Sequence, residues 1–153
     1  MIRKASVSDI NEMLAILEPY TLKGVVLRRS YDEISETIDH FYVCETEGRI
    51  TGLSAYYSYS KNLVEIRSLA VKQAVFARGI GRRLVKKIIS DIHSENPSAK
   101  IFALTLVPDF FIKCGFSEVE KATLPEKIWK DCSKCLKQDK CDEIPMVYSE
   151  NTR

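Results

Sequence analysis

The chain has 153 residues, 45% of them hydrophobic and 29% charged, which suits one globular domain able to bury its own core. The formal net charge of +2 is too small to indicate a strongly anionic partner, so neither nucleic acid nor an anionic membrane is expected. The first residues lack the apolar region of a secretory signal, and no apolar run approaches the roughly 20 residues of a membrane span, so we expect a cytoplasmic protein.

Two helices are predicted in the first part of the chain. Ser8 and Asp9 form a capping start for apolar residues at helical spacing, and Pro19 is expected to end that helix. The segment Ser30-Tyr31-Asp32-Glu33 is a capping box, which predicts a second helix as far as about Asp39.

A hairpin and a third strand follow. Residues 41–45 and 50–58 flank Thr46-Glu47-Gly48-Arg49, a turn in which glycine supplies a positive φ. The next strand, 63–71, alternates only in part, and Leu69-Ala70-Val71 is expected to be buried on both faces.

The clearest helix begins at Gly79 or just after it. Its apolar residues form one stripe from Ile80 to Ile92, and Pro97 ends it. Further elements are predicted at Lys100–Leu106 (strand), Pro108–Lys113 (short helix), from Gly115-Phe116 (strand) and at Ile144–Tyr148 (a last strand, which Pro145 restricts to an edge or an end). The order of elements predicts an α+β or mixed α/β class in one layered domain.

A glycine turn stands between a strand and this helix, in the segment Arg78-Gly79-Ile80-Gly81-Arg82. The first amides of a helix have no internal partner, and the helix dipole adds positive charge there, so such a turn is suited to a phosphate. The spacing matches neither a Walker loop nor a dinucleotide fingerprint. Taken alone, a helix that simply begins with glycines explains the segment equally well.

The surrounding segments resemble the GNAT superfamily of N-acetyltransferases in order and spacing. They are Ser68-Leu69-Ala70-Val71, the glycine turn continued to Val85, and Phe110 to Phe116. The resemblance implies a single GNAT-like domain with a mostly antiparallel central sheet, a splayed parallel pair and flanking helices. It also implies acetyl-CoA as the acetyl donor, held by Leu69, Ala70, Val71, Arg78, Gly79, Ile80, Gly81 and Arg82.

Two positions depart from the superfamily pattern. Phe76 stands where the pattern has Arg or Gln, which weakens one cofactor contact. Phe111 stands where a tyrosine is frequent, which removes the usual general acid for the leaving thiolate.

A narrower resemblance is to N-acetylglutamate synthases. It rests on Gly24 to Ser30, on Glu65 to Val71, on Phe102 to Thr105, and on a tail containing W-x-D-C-x-x-C. It implies one acetyltransferase domain over 1–153 with a cysteine-containing tail at about 124–153. The implied reaction is acetyl transfer to the α-amine of L-glutamate, the first step of arginine biosynthesis.

Three residues follow as candidates for the acceptor site. Arg28 and Arg29 can each present a planar fork to a substrate carboxylate, although a solvated pair ahead of a helix cap explains them too. Glu65 matches the general base of several superfamily members and can act as base or water-holder, or can simply pair with Arg67. The longer synthases have a further arginine where this chain has Leu106, so the glutamate site is built differently or the substrate is another molecule.

The cysteines divide into two groups. Cys44 and Cys114 stand within apolar segments and are predicted to be core residues. Cys132, Cys135 and Cys141 form a cluster for which a structural metal, a disulfide and free thiols all stay open, and no metal site is assigned.

Several functions are therefore compared. The favoured one is acetylation of a small amino acid, most simply L-glutamate, by direct attack in a ternary complex. The alternatives are acetylation of another small or protein amine and a non-catalytic acetyl-CoA-binding regulatory module. A homodimer is compatible with the resemblance, although the sequence does not determine the oligomeric state.

Overall fold

The fold is one mixed sheet with helices on both faces. The computed structural model describes residues 1–73, 79–124 and 143–149. Within these residues the strands are Ile2–Lys4 (β1), Phe41–Thr46 (β2), Arg49–Ser60 (β3), Leu63–Val71 (β4), Lys100–Thr105 (β5), Phe116–Glu118 (β6) and Ile144–Tyr148 (β7). The α-helices of the described residues are Ile10–Leu22 (α1), Tyr31–Glu36 (α2), Ile80–Glu95 (α3) and Pro108–Lys113 (α4).

The sheet has the order β1-β2-β3-β4-β5-β7-β6 and contains one parallel pair. That pair, β4 with β5, is joined over only three positions, from Leu63 opposite Lys100 to Glu65 opposite Phe102. Beyond Glu65 no described strand pairs with this side of β4, although β4 continues to Val71. The predicted fold, a mostly antiparallel sheet with a splayed parallel pair, is confirmed.

A bulge at Ser68 changes the direction of the side chains along β4. Ser68 has a positive φ of 58°, and the register with β3 runs from Ala55 opposite Arg67 to Leu53 opposite Ala70. Two residues of β4 therefore face one of β3, which reverses the alternation of faces. This reversal explains why the strand alternates only in part. Leu69 and Val71 are half-buried, so the expectation of burial on both faces holds fully only for Ala70.

Helix α3 covers one face of the sheet because its apolar stripe faces inward. Leu84, Val85 and Ile88 are fully buried. They pack in one cluster with Ile66 of β4 and, after the bulge, with Leu69 and Val71. Cys44 and Cys114 belong to the same cluster, as predicted.

Helices α1 and α2 cover the opposite face. Ile10, Met13 and Ile34 are fully buried and pack with Leu53 of β3 and with Ala70, the residue that the bulge turns to this side. The sheet thus lies between two layers of helix, each with its own apolar cluster.

Pro19 does not end α1 as expected, whereas Pro145 lies at an end of its strand as expected. Helix α1 continues past Pro19 for one more turn, to Leu22. Pro19 lacks only the bond to the carbonyl of Ala15, and Ala15 lies on the exposed face where water can replace it. Pro145 lies in a strand with a neighbour on each side, near its beginning. Its carbonyl accepts a bond from Val119 N at 3.0 Å, so its missing N–H faces the side where β6 has already ended.

Other element boundaries differ slightly from those predicted from the sequence. The capping box at Ser30 is confirmed, but α2 ends at Glu36 and a 3₁₀ turn over Ile38–His40 completes the predicted segment. Strand β1, at Ile2–Lys4, was not predicted, because three residues show no period. In the described part of the chain no helix has the length and apolar character needed to cross a bilayer.

Candidate active site

The open stretch of β4 is the part of the sheet best suited to an extended ligand arm. Leu69, Ala70 and Val71 lie beyond the point where β5 leaves β4, and Ala70 and Val71 pair with β3 on their other side. Backbone groups of a strand that face an opening can bond an extended partner in the manner of an added strand. The structure therefore brings the three predicted strand residues together at the splay.

Tyr20 of α1 already contacts this stretch. Its hydroxyl donates to the carbonyl of Val71 at 2.5 Å, and burial raises the pKa of Tyr20, which keeps the phenol neutral and able to donate. A carbonyl oxygen has two lone pairs, so Val71 can accept a second bond from a ligand. Tyr20 was not singled out from the sequence, since nothing local marks a tyrosine near the end of a helix as a contact of a distant strand.

The glycine turn leads into α3 as predicted. Gly79 has a φ of 74°, a left-handed conformation, and α3 begins at Ile80. Arg82 and Arg83 are exposed in the first turn, whereas the side chain of Ile80 is buried in the core, so only the backbone of Ile80 can serve a ligand. Arg78 lies outside the described residues.

Gly81 has a packing role. A Cβ placed on Gly81 would lie 3.2 Å from two ring carbons of Phe110 in α4. The glycine therefore lets α4 approach the first turn of α3, which is a reason for its presence independent of any phosphate. Gly79 is different, since nothing lies within 4 Å of a Cβ placed there.

The start of α3 is suited to an anionic group. Helix α3 has 16 residues, and its first-turn amides carry the positive end of the helix dipole beside two exposed arginines. This end of the molecule therefore offers the positive end of a helix to an anionic group and, along Leu69–Val71, open strand backbone to an extended one.

On the other side of the bulge, Glu65, Arg67 and Tyr59 form a partly buried triangle of polar groups, of which Glu65 is the buried member. Nη2 of Arg67 donates to Oε1 of Glu65 at 2.6 Å and to the hydroxyl of Tyr59 at 3.0 Å. The Tyr59 hydroxyl donates to the same Glu65 oxygen at 3.1 Å. The Glu65 and Arg67 side chains are 9% and 14% exposed, and the ion pair stabilises the carboxylate form of Glu65. The simpler interpretation of Glu65, a pair with Arg67, is thus observed.

A cavity of about 240 Å³ lies beside this triangle, between α2, β3 and β4. Arg67 and Ser68 of β4 form part of its wall, whereas Glu65 is not among the described residues that line it. The remaining lining residues are Arg29, Glu33, Ile34, Glu36, Thr37, His40, Phe41, Ala55, Tyr56 and Tyr57.

The two candidate arginines are placed differently. Arg29 lines the cavity with a side chain that is 19% exposed. Its ion pair with Glu33 is long, with 3.9 Å between Nη1 of Arg29 and Oε2 of Glu33. The side chain of Arg28 is 63% exposed, lies 3.4 Å from Glu18 of α1, and is not among the described cavity residues. The structure therefore brings Arg29 to the cavity and leaves Arg28 in solvent.

Arg67 is a cavity residue that sequence reasoning considered only as a partner of Glu65. Its guanidinium carbon lies 4.4 Å from the ring centroid of Tyr57, a cation–π contact. Tyr57 and Tyr59 are two residues apart on β3, with Tyr57 directly opposite Glu65. The alternation of these tyrosines beside a Glu-x-Arg strand is the signal that could have predicted the cluster.

The remaining sequence-derived residues do not add a proton donor. Phe111 is buried between Phe110 and Phe116, with ring centroids 5.1 Å away in both cases. Its position is part of the core, so α4 offers no side chain there for the thiolate.

Phe76 and the cysteine cluster at Cys132, Cys135 and Cys141 lie outside the described residues. Among those described, no group of three or more His, Cys, Asp or Glu side chains could hold a metal.

Comparison with known proteins gives a consistent assignment. The family profile described as "Acetyltransferase (GNAT) domain" matches residues 37–118, more than half of the chain. An uncharacterised N-acetyltransferase of Chlorobaculum tepidum is 41% identical over 146 residues, which cover 95% of this chain and 94% of that protein. An amino-acid acetyltransferase of Mycobacterium tuberculosis is 25% identical over 134 residues, covering 86% of this chain and 76% of that protein.

A solved structure is similar over nearly the whole fold. It is N-acetylglutamate synthase from Neisseria gonorrhoeae complexed with coenzyme A and N-acetyl-glutamate, with a TM-score of 0.87 and 27% identity. The similarity covers 97% of this chain but 34% of that one, so this chain spans about a third of the gonococcal enzyme. The profile, the relatives and the similar solved structure agree. The chain is thus an acyltransferase that uses acetyl-CoA, and it belongs to the GNAT family of acetyltransferases.

Proposed function

We propose that this enzyme transfers the acetyl group of acetyl-CoA to the α-amine of a small amino acid, and that the acceptor is L-glutamate. The observation that carries the proposal is the cavity beside the β4 bulge, into whose wall the largely buried Arg29 is built. At about 240 Å³ the cavity is below the roughly 300–1,000 Å³ of drug-sized sites, which favours a small acceptor over a protein segment. The amino-acid acetyltransferases among its relatives support the same class of acceptor.

In this proposal the cofactor is held mainly by backbone. The strand groups of Leu69, Ala70 and Val71 bond the acetyl-pantetheine arm across the splay. The pyrophosphate binds at the start of α3, through Arg78, Gly79, Ile80, Gly81 and Arg82, where first-turn amides and arginine charge converge.

Chemistry takes place at the bulge, where the acceptor cavity and the open strand meet. The attacking amine must lose a proton, the new N–C bond forms, and the C–S bond of acetyl-CoA breaks. Glu65 is proposed to receive the amine proton, directly or by holding a water, because it is the buried carboxylate nearest along the chain to the bulge. With Phe111 in the core, the thiolate leaves unaided or takes its proton from water.

Arg29 is proposed to bind a carboxylate of the acceptor. An arginine that is largely removed from water needs a close anionic partner, and its pair with Glu33 at 3.9 Å is a weak one. A substrate carboxylate supplies a bidentate partner in the cavity.

A coupled assay of CoA release tests the proposal. Purified protein with acetyl-CoA should release CoA when L-glutamate is added, and much less with lysine, alanine or a peptide amine. Preference for a peptide amine, or no release with any amine despite acetyl-CoA binding, would contradict it.

The two neighbouring arginines provide a matched pair of variants. Arg29→Gln should raise the glutamate KM by about 10- to 100-fold, since a hydrogen bond to a charged group contributes roughly 1.5–3 kcal/mol, with the acetyl-CoA KM unchanged. Arg28→Gln removes the same charge from an exposed side chain and should change the glutamate KM by less than about twofold. Equal effects of the two variants would exclude a specific role for Arg29.

Three finer statements belong to the same proposal. A glutamate acceptor would place the enzyme at the first step of arginine biosynthesis. Use of acetyl-CoA fits a cytoplasmic location. A homodimer is compatible with the proposal and can be checked by light scattering.

A further inference from the structure

We propose that Arg67 is the ligand of the acceptor's α-carboxylate, so that this cavity selects α-amino dicarboxylates through two arginines with different tasks. The inference rests on the proposed function, because it assigns a role within the acceptor site of that reaction. It goes further by distinguishing the two carboxylates and assigning each to one arginine.

The first argument is the rigid placement of Arg67. Its guanidinium is held by Glu65 Oε1 at 2.6 Å, by the Tyr59 hydroxyl at 3.0 Å and by the ring of Tyr57 at 4.4 Å. A fork held from several sides loses little rotamer freedom when it binds a ligand, and this is the condition for a specific carboxylate site. Arg67 lines the cavity while Glu65 does not, so the cavity wall presents the cation of this pair.

The second argument is position along β4. Arg67 directly precedes Ser68, which also lines the cavity and marks the bulge where the open cofactor strand begins. The attacking amine must reach this end of the cavity, and the α-carboxylate is attached to the same carbon as that amine. Of the two arginines that line the cavity, Arg67 is therefore the one that adjoins the bulge, where the α-carboxylate of such an acceptor would lie.

The third argument is the position of Arg29. It belongs to a different wall, directly before the Ser30 cap of α2. An acceptor whose amine is at the bulge directs its side chain away from that end. Arg29 is thus suited to the side-chain carboxylate, and Arg67 to the α-carboxylate.

The charges of the cavity agree with such an acceptor. Two arginines and two glutamates, Glu33 and Glu36, line it together with His40. Glutamate brings two carboxylates and, before it loses its proton, one ammonium, so its opposite charges both find counterparts. A monocarboxylic amino acid would bind one of the two arginines through its carboxylate and make no such contact with the other.

Three acceptors separate the two tasks. L-Glutamate has both carboxylates, L-glutamine lacks the charge on the side chain, and 4-aminobutyrate lacks the α-carboxylate. Wild-type enzyme should show kcat/KM at least about 10-fold lower for both analogues than for glutamate. This measurement needs no variant: an equal kcat/KM for 4-aminobutyrate and glutamate would overturn the proposal.

Variants then assign each carboxylate. Arg67→Gln should lower kcat/KM for glutamate and glutamine by about 10- to 100-fold more than for 4-aminobutyrate. Arg29→Gln should instead lower kcat/KM for glutamate and 4-aminobutyrate more than kcat/KM for glutamine. If Arg67 only supports Glu65, its loss lowers all three values by one factor, the ratios stay as in wild type, and the proposal is overturned.

Arg67→Lys guards against misfolding of the first variant, because it keeps a cation beside Glu65 and removes only the planar fork. Arg67→Lys should also lower kcat/KM for glutamate and glutamine relative to kcat/KM for 4-aminobutyrate, with an unchanged KM for acetyl-CoA. Wild-type values of these ratios would contradict the proposal. Failure of the proposed function gives a different result. In that case the wild-type enzyme releases no CoA with any of the three acceptors.

Discussion

The two sides of the β4 bulge differ in the groups that they present, which are backbone groups on one side and side chains on the other. Beyond Ser68, the proposed cofactor end consists of strand backbone, a left-handed Gly79 and the first amides of α3. Before it, the proposed acceptor end consists of side chains, among them Arg29 just before α2, Tyr59 of β3 and Arg67 of β4. A backbone site tolerates many side chains and suits a donor shared by a family, whereas a side-chain site can be changed one residue at a time to suit an acceptor.

The largest effect should come from Glu65, which belongs to the side-chain half. Glu65→Gln keeps the shape and an acceptor oxygen for Arg67 but removes the base, so kcat should fall by about 10²- to 10⁴-fold while acetyl-CoA still binds. Steady-state kinetics over pH 6–9 and calorimetric titration with acetyl-CoA measure the two quantities.

The matched control is Glu118→Gln, which removes an exposed carboxylate on β6 and should leave kcat unchanged. A kcat for Glu65→Gln equal to that of the wild type at every pH would contradict the role of Glu65 as the base. Glu65 would then be only the structural partner of Arg67.

A smaller effect is expected from the backbone half, where the two glycines should behave differently. Gly81→Val places methyl groups against the Phe110 ring, already 3.2 Å from a Cβ, and should cost about 1–3 kcal/mol of unfolding free energy. For a chain of this size that corresponds to a Tm lower by roughly 2–4 °C per kcal/mol.

In Gly79→Ala the new Cβ has no neighbour within 4 Å. The unfolding free energy should therefore fall only by the cost of a left-handed alanine, about 1–2 kcal/mol. Thermal melts of both variants test the difference. A greater loss for Gly79→Ala than for Gly81→Val would show that the packing of α4 on α3 is looser than described.

The smallest effect concerns the ion pair that ties the start of α1 to β1, on the acceptor side of the sheet. Arg3 donates to Asp9 at 2.8 Å, and this contact holds the pKa of Asp9 below its usual 3.8 against the opposing effect of burial. A lowered pKa contributes stability above the unfolded value, and that stability is lost as the pH falls through the lowered one.

Asp9→Asn should therefore lower the unfolding free energy by about 1 kcal/mol at pH 7, and the gap to wild type should narrow progressively as the pH falls below about 4. Urea unfolding between pH 7 and pH 3 measures this gap. A gap that widens on acidification would reverse the sign derived for Asp9.

Most elements of the fold could be predicted because their signals are local. The capping box at Ser30, the Glu47-Gly48 turn and the apolar stripe of α3 each lie within one window of sequence. The prediction from Pro19 was wrong, because the exposure of the carbonyl that loses its bond, rather than the proline itself, decides the cost of the missing N–H. Strand β1 could not be predicted, because its three residues depend on pairing with β2.

Of the candidate site, the sequence by itself determined the backbone half. A strand, a glycine turn and a helix adjacent in the chain are adjacent in space, so Leu69–Val71 and Gly79–Arg82 could be proposed together. Only the tertiary structure decided the side-chain half. It placed Arg29 in the cavity and Arg28 in solvent, and it joined Arg67 to Glu65, Tyr57 and Tyr59. The physical reason is that the direction of a side chain depends on a bulge and on packing between elements distant in sequence, which no short window contains.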